Sequence, residues 1–136
     1  MSRTWTLVHR ARPFTENTQR RWHHHQRAAE VRTWRAAFAV LAFEARIPHL
    51  DAIAVVAVPH LRDHRRQDVG ACFPAVKAAI DGLCDARVIP GDGPDQLTCL
   101  TFLAPICGGE DALALTITDH PTPPVVEHVA VQGVFL

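Results

Sequence analysis

The chain has 136 residues, 48% of them apolar and 21% charged, and a formal net charge of zero, which bounds it to one domain with a core of its own and no separate binding domain. No apolar run reaches the about 18 residues of a membrane span, and no signal-length apolar segment accompanies Arg3 and Arg10, so a soluble, cytoplasmic protein without membrane contact is expected. The zero charge hides a division: residues 1–36 carry eight arginines against Glu16 and Glu30, a balance of +6, and residues 37–136 carry six bases against twelve acids, a balance of −6. Such a division suits an arm that draws in a polyanion ahead of a body that binds metal, or two halves that pair with each other.

Trp5 to His9 alternates apolar and polar side chains and reads as a short half-buried strand that Pro13 ends. From about Gln19 to Arg46 there is no Gly or Pro, and Val31, Trp34, Phe38, Leu41 and Ala45 recur at three- and four-residue steps. One amphipathic helix is predicted there, with Arg21, His25, Arg32 and Arg35 along a different face. Ala52 to Val58 is a continuous apolar run, the signature of a buried central strand, and His60 to Gln67 follows as a polar loop. Pro74 suits a first helical turn, and the second helix runs to about Ala86, with Val76, Ile80 and Leu83 on one face and Lys77, Asp81 and Asp85 on the other. Gly91-Asp92-Gly93-Pro94 marks a turn. Gln96 to Ile106 and Ala112 to Thr118 then read as two strands paired as a hairpin through Gly108-Gly109. Residues 120–136 read as a Pro-rich, poorly ordered tail. The fold class expected is α/β (α+β), a small mixed sheet against two main helices. Cys72, Cys84, Cys99 and Cys107 form no C-x-x-C pair and are expected as small core residues of a reduced protein.

The segment from Arg65 to Asp92 sets acids and a lysine among arginines. Metal-assisted phosphodiester cleavage needs that combination: guanidinium groups hold phosphate oxygens, carboxylates hold Mg²⁺, and a lysine offsets developing charge. A solvated helix with an ordinary Lys77–Asp81 pair at i,i+4 spacing satisfies the same pattern and contributes about 0.3–0.5 kcal/mol.

Arg65-Arg66-x-Asp68, Pro74-x-x-Lys77-x-x-x-Asp81-Gly82-Leu83 and x-Asp92, preceded by Asn17-x-x-Arg20-Arg21 and Trp34-Arg35, resemble the RusA family of small phage and prophage endonucleases that resolve Holliday junctions. The resemblance covers about residues 5–119, with 120–136 as an appended tail. It implies a homodimeric, Mg²⁺-dependent endodeoxyribonuclease acting on four-way junctions or other branched DNA in recombination and repair, in a bacterial or phage-infected cell. It further implies Asp68, Asp92 and Lys77 as catalytic residues, Asp68, Asp92 and Asp81 as metal ligands, and Arg20, Arg21, Arg32, Arg35, Arg65 and Arg66 as the DNA-binding set.

The chain departs from the family's pattern at three positions. Gly91 stands where an acid usually precedes Asp92, Ala71 where an asparagine is common, and Arg87 where a glycine usually ends the second helix. Each lost oxygen weakens a hard-cation site, so the alternative reading is a catalytically impaired branched-DNA-binding protein of the same fold. About thirteen helical residues between Asp68 and Asp92 span close to 20 Å, so the two meet only if the flanking loops fold back.

Other candidates are weaker. His23-His24-His25 has the composition of a metal tract, but successive helical residues point about 100° apart, so exposure or phosphate contact is expected there instead. His60, Asp63 and His64 would make a transition-metal site only if their loop turned helically. Trp22, a residue type that stacks on unpaired bases, lies beside the apolar stripe and is expected to pack. No nucleotide-binding glycine motif and no serine-hydrolase elbow occurs in the sequence.

Overall fold

The run Ile53–Leu61 forms the strand around which the sheet is organised, with Ile53, Val55, Ala57, Pro59 and Leu61 buried and the alternate residues half-buried. A computed structural model describes residues 2–119; the predicted tail, 120–136, lies outside the described residues. In chain order the elements are β1 (Thr4–His9), α1 (Glu16–Arg21), α2 (His24–Glu44), β2 (Ile53–Leu61), α3 (Phe73–Asp85), β3 (Leu97–Phe102), β4 (Ile106–Cys107) and β5 (Ala112–Asp119). The five strands form one mixed sheet of order β1-β5-β2-β3, with β4 beside the end of β2. With its three helices the fold is α+β, as expected.

β3 and β5 do not form a hairpin. β3 runs parallel to β2 on one side, joined to it through α3 as a β-α-β unit, while β5 pairs antiparallel with β2 on the other side and with β1 beyond. Burial accounts for the order. Leu113, Leu115 and Ile117 of β5 are fully buried, which requires an interior place, whereas every residue of β3 stays at least partly exposed at the edge.

β2 also runs through Pro59 to Leu61, so His60 lies in a strand and not in the predicted loop. The amide of Leu103 donates to the Ala57 carbonyl and that of Gly108 to the Leu61 carbonyl, so Pro59, midway between, turns its missing N–H toward the same side. There β3 has ended at Phe102 and β4 has not begun. A proline is tolerated in this strand because no donor is called for at that point.

The helix predicted over 19–46 is two helices. Thr15 caps α1 through its hydroxyl, which accepts the Thr18 amide at 3.3 Å. Trp22 then leaves helical geometry (φ −82°, ψ 140°), its ring 5.3 Å from that of Phe14, and His23 caps α2. Arg21 therefore belongs to a different helix from His25, Arg32 and Arg35, and the shared face expected for the four does not exist. Of the predicted stripe, Trp34 and Phe38 are buried, joined by Ala42, while Ala45 is the exposed C-cap of α2.

α3 buries more than one stripe. Pro74, Ala75, Val76, Ala78, Ala79, Ile80, Gly82 and Leu83 are all buried, because sheet residues and α2 share one core with it. At Gly82 the two helices are in closest approach: a Cβ built there would lie 2.3 Å from the Arg35 carbonyl oxygen. Of the cysteines only Cys72 is fully buried; Cys107 is exposed, and the four thiols are unpaired. No described helix is long and apolar enough to cross a membrane.

Candidate functional site

Lys77 lies in the second turn of α3, four residues before Asp81, and the turn after α3 brings Asp92 back to the same helix face. The Lys77 Nζ donates to Asp81 Oδ1 at 3.0 Å and is in direct contact with Asp92 Oδ2. One ammonium thus bridges two carboxylates separated by eleven positions in the chain. Burial acts against the charged Lys77, but its hydrogen bonds to Asp92 and Asp81 outweigh that and raise its pKa. The same hydrogen bond from Lys77 holds the Asp92 carboxyl below its ordinary range. Cys84 stands close enough that burial, with the charges of Asp81 and Asp92, pushes its thiol up. A thiol held protonated is no nucleophile, so the chemistry available at this cluster is that of carboxylate and ammonium.

Asp68 is not in this cluster. It lines a cleft of about 790 Å³ between α1 and the loop entering α3, together with Arg65, Arg66 and Gln67 on one wall and Phe14, Glu16, Asn17 and Trp22 on the other. The cleft is held shut at its base by backbone, since the Glu16 amide donates to the Ala71 carbonyl at 3.3 Å and the Ala71 amide to that of Asp68 at 3.1 Å. The side-chain amide nitrogen of Gln67 is buried in this wall without a hydrogen-bond partner, an unspent donor of the kind a ligand oxygen satisfies. Among the described residues Asp68, Asp81 and Asp92 do not bring three ligand oxygens within 4.8 Å of one another. The three carboxylates expected as metal ligands are thus not gathered in one cluster: Lys77 joins Asp81 and Asp92, while Asp68 lines the cleft together with Arg65 and Arg66.

The Asp81–Asp92 pair suits Mg²⁺. Both partners are hard oxygen donors, a cationic ammonium already sits between them, and Mg²⁺ is commonly held by one or two carboxylates with water completing its shell.

The arginines divide into two groups. Arg3 pairs with Asp119, Arg10 with Glu110, Arg12 with Asp63 and Asp111, and Arg35 with Asp85, so half of the N-terminal arginines neutralise acids from later in the chain. Arg35, expected in the DNA-binding set, pairs with Asp85: its guanidinium grips the carboxylate through two bonds of 2.5 and 2.8 Å and ties α2 to α3. That contact raises the pKa of Arg35 and lowers that of Asp85. Arg20, Arg21, Arg32, Arg65 and Arg66 are exposed and have no carboxylate partner among the described residues.

Asp63 accepts from the Arg65 amide at 3.1 Å and Asp111 from the Arg62 amide at 2.8 Å, which fixes the loop that presents Arg65 and Arg66. The backbone hydrogen bond from Arg65, reinforced by Arg12, keeps the Asp63 carboxyl below its usual range. Asp63 is thus a loop anchor and not a metal ligand, and His60, in β2, does not join it. Sequence reasoning missed Arg12 and Asp111, which no local motif marks because their partners are distant in the chain, and Gln67, whose buried amide nitrogen has no partner to mark it.

No family model matches the chain, and no curated protein matches it.

Proposed function

We propose that this protein is a Mg²⁺-dependent endodeoxyribonuclease acting on branched DNA, four-way junctions in particular. The observation that carries the proposal is Lys77 held between Asp81 and Asp92 on α3, with Arg65 and Arg66 exposed on the loop that leads into that helix. Asp81 and Asp92 would hold the cation in place of the Lys77 ammonium. When bound, Mg²⁺ would polarise a phosphoryl oxygen and so lower the barrier to attack by water. With the cation held there, Lys77 would be free to pair with the scissile phosphate and stabilise the charge that develops on it. Arg65 and Arg66 grip flanking phosphates bidentately, and Asp68 and Gln67 in the same cleft orient what enters it. Activity on a junction further calls for a homodimer, since a four-way junction offers symmetric strands and needs paired incisions.

The test is incubation with a labelled synthetic junction in Mg²⁺ and in chelator, repeated with Asp92→Asn. Cutting that needs Mg²⁺ and falls on the order of 10²-fold in the variant is expected; equal cutting by both removes Asp92 from the reaction. A second reading, junction binding with little catalysis, is favoured by the separation of Asp68 from the Asp81–Asp92 pair and by the missing oxygens at Gly91 and Ala71. Gly91→Asp separates the two, because a side chain there meets nothing within 4 Å. A large gain in cutting identifies an impaired centre, and no affinity for branched DNA at low salt dismisses both readings.

A further inference from the structure

We propose that His23, His24 and His25 form a transition-metal site at the start of α2, selective for Zn²⁺ and other divalent ions that prefer imidazole and indifferent to Mg²⁺. The proposal is independent of the nuclease reading. In a continuous helix three successive side chains point about 100° apart and cannot share an ion. This tract is not continuous helix: His23 has extended backbone (φ −59°, ψ 150°), and only His24 and His25 are helical. The change of direction at Trp22 folds the His23 ring back over the first turn. Ring centroids lie 4.1 Å apart for His23 and His24, 4.1 Å for His24 and His25, and 5.1 Å for His23 and His25. One ring nitrogen from each residue lies within 4.8 Å of the other two, the only such convergence of three His, Cys, Asp or Glu ligand atoms among the described residues.

Three imidazole nitrogens at about 2.0–2.1 Å from a tetrahedral ion sit roughly 3.3 Å apart. Shifts on the order of 1 Å, within reach of exposed side chains, bring these three into place. All three rings are exposed, so the remaining coordination positions open to solvent, as in sites with three protein ligands and a water. Neutral imidazole favours Zn²⁺, Cu²⁺ or Ni²⁺, whereas Mg²⁺ seeks carboxylate and water.

Proton accounting adds a signature. The Nδ1 of His23 now accepts the His25 amide at 3.3 Å. An ion on Nδ1 takes that lone pair; an ion on Nε2 moves the ring proton onto Nδ1. Either way the His25 amide loses its acceptor, so occupancy of the site uncaps the first turn of α2.

The test is calorimetric titration of the full chain with Zn²⁺ and with Mg²⁺, on the wild type, His23→Asn, His24→Ala and His25→Ala. Asparagine is itself a good N-cap, so His23→Asn keeps α2 capped while removing the ligand. One Zn²⁺ per chain is expected, weakened at least tenfold by each of the three substitutions, with faster hydrogen exchange at the His25 amide on Zn²⁺ addition and no Mg²⁺ effect there. Unchanged Zn²⁺ affinity in His23→Asn, or one Zn²⁺ shared between two chains, overturns the proposal.

Discussion

Arg46 and Arg87 both have left-handed backbone, at φ 56° and 61°, and both end a helix in the same way. After α2 the Arg46 amide donates to Phe43 and the Ile47 amide to Ala42; after α3 the Arg87 amide donates to Cys84 and the Val88 amide to Leu83. Each is a Schellman motif whose following residue, Ile47 or Val88, is buried against the helix it closes. Glycine normally fills that left-handed position because a Cβ is strained there. Arg46→Gly and Arg87→Gly should therefore each stabilise the fold by about 0.5–1 kcal/mol in urea denaturation, the relief of strain exceeding the added freedom of the unfolded chain. The missing glycine at Arg87 was legible in the sequence; Arg46 was not, because no motif marks where α2 ends.

The Arg35–Asp85 pair gives a pH effect whose sign follows from Asp85. Its folded pKa is depressed by the hydrogen bond from Arg35, so the stabilisation is present above the unfolded carboxyl value of about 3.9 and is lost as pH falls through the folded value. Both side chains are over a third exposed, which limits the contribution to under about 1 kcal/mol after screening. Asp85→Asn should be less stable than the wild type at pH 7 and indistinguishable from it near pH 2, as followed by thermal melts. A constant gap across that range would remove Arg35 as the cause.

Between elements, packing overrides propensity at Gly82. Propensity alone says that Gly→Ala inside a helix gains about 1 kcal/mol. The methyl would meet the backbone of α2 at 2.3 Å, and backbone cannot rotate away. Gly82→Ala should thus destabilise by about 1–3 kcal/mol or more, measured by urea denaturation, with α3 pushed off α2. A neutral or stabilising result would mean that the two helices separate readily.

The elements were legible where one periodicity governed a long run, as in α3 and β2. They were not where a single side chain decided the outcome. Nothing in the Gln19–Arg46 pattern shows that Trp22 packs on Phe14 and breaks the helix, yet that break is what gathers the three histidines. The expected hairpin failed for a related reason: Gly108-Gly109 marks a turn, but which strand lies inside the sheet was decided by β5 burying Leu113, Leu115 and Ile117.

At the scale of the molecule, the opposed charge of the two halves is partly spent internally, through Arg3, Arg10, Arg12 and Arg35. Of the arginines expected to bind DNA, Arg20, Arg21 and Arg32 on the helices and Arg65 and Arg66 on the anchored loop have no carboxylate partner among the described residues. If the last two each neutralise a phosphate, the double substitution Arg65→Ala/Arg66→Ala should lower the slope of log affinity against log salt by about 2, read from fluorescence anisotropy on a labelled junction. An unchanged slope would place DNA elsewhere. The candidate site was half legible: Lys77, Asp81 and Asp92 do meet across the turn after α3, whereas Asp68, grouped with them by resemblance, lines the cleft beside α1.

The proposed reaction turns on whether Mg²⁺ and the Lys77 ammonium compete for the same two carboxylates. Single-turnover cutting of a four-way junction, measured against Mg²⁺ concentration for the wild type and Lys77→Met, addresses this directly. In the variant the half-saturating Mg²⁺ concentration should fall, because no ammonium needs displacing, while the maximal rate drops on the order of 10²-fold as charge stabilisation is lost. Superimposable curves, or no cutting by the wild type at any Mg²⁺ concentration, would contradict a nuclease centre at Lys77, Asp81 and Asp92.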